Sequence, residues 1–120
     1  MTLLAIEHVQ LAMPAAQEEI ARRFYVDVLG LAEKPQPPNL ANRGGAWFES
    51  SLIKVHLGVD ADFRPATKAH IAILVDDLST LIERCRRAGV RMIDDEPLEG
   101  YQRVYVFDPF GNRLEFMQLS

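Results

Sequence analysis

The sequence holds a single cysteine, Cys85. A lone thiol excludes an internal disulfide and fits a reducing cytoplasm, where Cys85 is expected to pack as a small hydrophobe. Long apolar runs are missing too. None approaches the ~18 residues that would cross a bilayer, and the opening Met1-Thr2-Leu3-Leu4 lacks the charged start of a secretory leader. Basic charge is in deficit, with 13 Lys and Arg against 17 Asp and Glu, which argues against a nucleic-acid partner. What is present is ordinary for a cytoplasmic globular protein: 120 residues, 48% hydrophobic and 25% charged, enough for one domain with a real core.

Periodicity divides the chain. Leu4 to Met13 alternates as a strand, with Val9, Leu11 and Met13 opposite Ile6, His8, Gln10 and Ala12. Pro14 opens a helix to about Leu29, its stripe made by Ile20, Ala21, Phe24, Tyr25 and Val28, and Gly30 suits the cap. Leu31 to Lys34 reads as a short strand. Pro35 to Gly45 is too rich in Pro and Gly for regular structure, and a loop of that length suggests a lid. Ala46 to Ser50 and Leu52 to Val59 form a hairpin. After a linker of about 60–67, Lys68 to Val75 is a strand and Asp76 or Asp77 caps a helix to about Ala88, closed by Gly89. A short strand near Val90 to Ile93, an acidic loop, and strands Tyr101 to Phe107 and Asn112 to Leu119 complete the order.

That order repeats. Strand, helix and three strands run over about 4–59 and again over about 68–119, so one domain is expected from two βαβββ modules. The expected class is α+β, the modules forming a curved mixed sheet around a cavity.

The repeat pairs the residues with chemistry. His8 and His70 precede the helices, and His56 and Glu115 occupy the last strand of each half. Each lies opposite a clean apolar row, so all four are expected on the sheet face turned away from the helices. Imidazole nitrogens with a carboxylate oxygen suit a divalent transition metal. Residues of matching parity, Gln10, Trp47, Lys54, Lys68, Arg103, Tyr105 and Met117, are expected to line the substrate pocket. Arg103 and Lys54 suit an anionic group and Trp47 an apolar wall. Tyr25, on the helix stripe, is assigned to the core.

Four stretches carry a family likeness: Ile6-Glu7-His8-Val9, Phe24 to Leu31, Ala69 to Asp77, and Asp108-Pro109-Phe110-Gly111-Asn112-Arg113-Leu114-Glu115. Together with the paired modules, they resemble the vicinal oxygen chelate superfamily of glyoxalase I, bleomycin-resistance proteins and extradiol dioxygenases. The resemblance implies one divalent metal (Ni, Zn, Mn or Fe) at His8, His56, His70 and Glu115, and a homodimer. His56 departs from glyoxalase I, which usually has Glu there, and from methylmalonyl-CoA epimerase, which tends to have Gln. His8, His70 and Glu115 alone meet the two-His, one-Glu pattern of the fosfomycin thiol transferases and extradiol dioxygenases. His56 would then be an extra ligand or a group behind the ligands.

The expected function is therefore a glyoxalase-like lyase or isomerase. Its metal would chelate adjacent oxygens of a small molecule and stabilise an enolate-type intermediate, with Glu115 and His56 as candidate bases. Thiol transfer and oxygenation come second. The alternative is a metal-free protein that grips an antibiotic or similar ligand with Trp47, Tyr105 and Arg103. The four ligands can come from one chain or from two.

Overall fold

Alternation and turn chemistry set eight strands and three helices along residues 1–120, all of which the computed structural model describes. The first module contains β1 (Val9–Met13), α1 (Glu18–Arg22), β2 (Ala32–Lys34), α2 (Pro38–Ala41), β3 (Ala46–Glu49) and β4 (Lys54–Val59). The second contains β5 (Ile71–Leu74), α3 (Leu78–Arg87), β6 (Met92–Ile93), β7 (Tyr101–Phe107) and β8 (Arg113–Leu119). Both βαβββ modules are present and the class is α+β, as expected. The mixed sheet comes as two four-stranded sheets, ordered β1-β4-β3-β2 and β5-β8-β7-β6. In each, the helix crossover makes the first strand parallel to the last, and hairpins make the remaining pairs antiparallel. β1 and β5 are thus edge strands with one side open. No helix is long and apolar enough to cross a membrane.

Several elements are shorter than alternation suggested. β1 begins at Val9, the first residue to pair with β4, opposite Val55, and residues 1–8 run on exposed without a strand partner. β5 likewise begins at its first paired residue, Ile71, opposite Leu114. His8 and His70 therefore sit one residue ahead of their strands. The first helix starts at Glu18 rather than Pro14, since Ala16 takes a left-handed φ of 63° that interrupts any helix. It then continues from Arg23 to Val28 as a π-helical turn, closed by Leu29 N–H donating to Phe24 O at 3.0 Å. The Pro- and Gly-rich loop contains the single helical turn α2. Asp77, one of the two candidate caps, accepts from Thr80 N–H at 3.1 Å.

The apolar rows face the helices and share one core. Leu11, Met13, Phe48, Val55 and Leu57 from one sheet and Val104, Val106, Leu114 and Phe116 from the other join Ala21, Phe24, Tyr25, Leu78, Leu81 and Cys85. Cys85 is buried, as expected for a packing residue. Each large apolar side chain fully buried here contributes roughly 1.5–3 kcal/mol.

One polar cluster is buried between the modules. The Asp108 carboxylate accepts from the backbone N–H of Phe110 and Asn112, each at 2.9 Å, from Tyr25 O–H at 2.7 Å and from Asn112 Nδ2 at 2.9 Å. Asn112 Nδ2 also donates to Ala12 O at 2.9 Å, and Asn112 Oδ1 accepts from Ala66 N–H at 3.0 Å. Burial pushes the Asp108 carboxyl above its usual range despite these donors. Burial, then the Asp108 charge, raises the Tyr25 hydroxyl well above its own. Gly111, at φ 92°, closes the turn that leads into β8.

Candidate functional site

In the first module the site is a stack of rings. Strand pairing sets Trp47 opposite His56, and their rings lie 4.1 Å apart and 3° from parallel. His8 covers the other face of His56 at 4.3 Å and 19°. His56 is 4% exposed, so its remaining polarity needs a partner. Glu49 supplies it: Oε2 lies 3.2 Å from His56 Nε2, which fixes the ring. Gln10 pairs with His56 from the other side, on β1. Lys54 is not free for a substrate, because its amine donates to Glu7 at 2.5 Å.

In the second module the site is built around a carboxylate. Glu115, 6% exposed, pairs across β7 with Tyr105. Its Oε1 lies 3.0 Å from His70 Nε2, and its Oε2 accepts from Arg103 Nη1 at 3.3 Å. The His70 ring meets Tyr105 edge-on at 5.4 Å. Arg103 is committed in several directions: to Tyr105 O–H at 3.2 Å, to Glu96 O at 2.6 Å and to Asp95 at 3.5 Å. It holds Glu115 and the acidic loop together, a positioning role rather than a free hook for an anion. Met117 lies beside it as its cross-strand neighbour. Lys68 is exposed, and it is its backbone carbonyl, 2.9 Å from His70 Nδ1, that touches the site.

The donor types fit a divalent metal, with three imidazoles and a carboxylate. The geometry of one chain brings them together only two by two. His8 meets His56 and His70 meets Glu115, but no three His, Cys, Asp or Glu side chains converge. Between the pairs runs a cleft of about 410 Å³ with His8 and His70 both on its walls. Beside it the N-terminal arm projects Leu3, Leu4 and Ile6, 82–91% exposed.

Sequence reasoning missed Glu49, Asp95 and Glu96. Glu49 did carry a signal, since it shares the parity of Trp47 on a three-residue run, Trp47-Phe48-Glu49. The acidic loop carried none, because its reach to Arg103 depends on how the chain turns back.

The family model for the Glyoxalase/Bleomycin resistance protein/Dioxygenase superfamily matches residues 5–116. Among solved structures, the chain is 40% identical to a protein described as of the glyoxalase family from Bacillus anthracis. The match covers 100% of this chain and 98% of that one, with a TM-score of 0.94. The fold is also that of FosX, a genomically encoded fosfomycin resistance protein from Listeria monocytogenes, at 15% identity, 99% and 96% coverage and a TM-score of 0.78. It is likewise that of TnmS3, an antibiotic binding protein from Streptomyces sp. CB03234, at 22% identity, 98% and 100% coverage and a TM-score of 0.69. No match is found among curated proteins.

Proposed function

We propose, from the premise that this chain belongs to the Glyoxalase/Bleomycin resistance protein/Dioxygenase superfamily, that it is a metal-dependent lyase or isomerase acting on a small cytoplasmic molecule with adjacent oxygens. The working unit is a homodimer in which His8 and His56 of one copy meet His70 and Glu115 of the other. The observation that carries this reading is the split donor set, two pairs flanking the open edges of β1 and β5. The exposed arm supports it, because Leu3, Leu4 and Ile6 are an apolar stretch that a second copy would cover.

These four residues would hold the divalent metal, which when bound supplies Lewis acidity towards the substrate's oxygens. The rest of the chemistry belongs to the chain. Glu115 is the base that takes a proton from the carbon beside a carbonyl, on an oxygen aimed by His70 or Arg103. His56 is its counterpart from the other module, kept in one orientation by Glu49 and by the rings on both faces. Trp47 against His56 and Tyr105 against His70 shield the imidazoles from water.

Complementation tests both parts. Neither His8→Ala nor Glu115→Gln protein alone should bind a metal tightly. Refolded together, they should regain about one site per mixed dimer, measured as bound metal in untagged protein. Full metal binding by a monomer would overturn the shared site. No metal binding by wild-type protein would overturn the enzyme and leave the second reading, a metal-free binding protein. The flat stack of His8, His56 and Trp47, together with donors that already satisfy one another, favours that second reading over a structural role.

A further inference from the structure

Trp47 has a second neighbour. Beside it lies a pocket of about 270 Å³. Its walls are Gln10, Trp47, Gln36, Leu40 and Arg43, and Gly58 lies at its base. The loop holding Arg43 is fixed there by backbone chemistry. Gly45 has φ 84°, and a Cβ on it would sit 2.1 Å from Leu57 O, so only glycine lets the loop lie against β4. Gln36 Nε2 donates to Gly44 O at 3.2 Å and Gly45 O at 3.1 Å and ties the loop closed. Gly58 serves the pocket differently: a Cβ there would meet Gln10 Nε2 at 2.6 Å, so its absence lets the Gln10 amide lie flat across β4.

The pocket also carries a cation without an acid partner. Lys54 is neutralised by Glu7 and Arg103 by Glu115 and Asp95, while Arg43 enters no ion pair. An unpaired guanidinium beside two amides and an indole suits an anion with an apolar stem. The volume lies below the ~300 Å³ at which pockets for drug-sized ligands begin, so it takes a short group.

We infer that this pocket is a subsite for an anionic tail, a carboxylate, phosphate or phosphonate, at the end of the substrate remote from its reacting oxygens. The inference rests on the proposed function for what happens at the other end. Trp47 links the two, with His56 against its ring and the pocket beside it.

Trp47 is the only tryptophan, so all indole emission comes from one ring that touches both His56 and this pocket, and the pocket variants below separate the two. The test titrates metal-stripped wild-type protein in EDTA with inorganic phosphate, methylphosphonate, propionate and neutral propionamide. At least one anion should change the emission saturably, and propionamide should not; the responding anion identifies the tail. Arg43→Ala, at an exposed position, should weaken that response about tenfold. Gly58→Ala, which pushes the Gln10 amide into the pocket, should weaken it as well. No saturable response, an equal response to propionamide, or one unchanged in Arg43→Ala would overturn the subsite. Because metal is absent throughout, a failure here leaves the metal reading to be judged by complementation.

Discussion

The two modules share one plan and differ in what they hold. Each sets an aromatic directly across from its last-strand residue: Trp47 opposite His56 and Tyr105 opposite Glu115. Each then adds a charged residue two positions from that aromatic, and here the halves part. Module one places an acid after its aromatic, Glu49, against an imidazole. Module two places a base before its aromatic, Arg103, against a carboxylate. The partner is opposite in character to the group it steadies, and it approaches from the opposite end of the strand. The backbone repeat thus fixes where the central group stands, while its chemistry decides what must stand beside it.

The comparison predicts an order of effects. The most severe should come from what both halves use in common, the buried Tyr25, Asp108 and Asn112 cluster. Asp108→Ala strands four donors and should cost on the order of 3 kcal/mol or more, read as a lower denaturant midpoint by a single transition in both modules. Two separate transitions would show that the halves do not fold as one. Glu115→Gln should reduce metal affinity more than about a hundredfold while leaving the fold intact by circular dichroism. His56→Gln should cost less than Glu115→Gln, because it retains a polar group in the stack. Equal losses would make the two last-strand residues equivalent ligands.

The positioning partners come next. Glu49→Gln and Arg103→Gln should each lower metal affinity roughly 10–100-fold. Arg103→Gln alone should also speed proteolysis of the acidic loop near Asp95, since the hydrogen bond to Glu96 O is lost. The smallest effect belongs to the arm. Ile6→Ser should weaken self-association several-fold in sedimentation, with the chain's own stability unchanged, because Ile6 is 82% exposed in the single copy.

Much of this plan was legible in the sequence, for physical reasons that differ by residue. A strand's period of two put His56 and Glu115 opposite Val55, Leu57, Leu114 and Phe116, and that held because these rows are buried. The stripe of the first helix put Tyr25 in the core, where it is. Alternation failed at strand ends: Leu4 to Glu7 alternate like a strand, yet the pairing of β1 with β4 starts only at Val9 and Val55. Nor does alternation reveal tertiary pairing of charge. Lys54 and Arg103 looked alike as cations for a substrate, and both proved to be held by acids, one from the arm and one from the next strand. Arg43, in a loop with no period at all, gave no sign of its pocket.

The clasp of Asn112 on Ala12 spans 100 residues of sequence. It therefore dictates an order of assembly. As the chain emerges from the ribosome, the first module must wait, its Tyr25 hydroxyl without a partner, until nearly the last strand has been made. Loop closure over that separation is slow, and until it occurs the half-built sheet keeps apolar edges exposed. The duplicated halves are then expected to fold as a single late event rather than as two units in series, with the turn from Asp108 to Asn112 as the step that commits them.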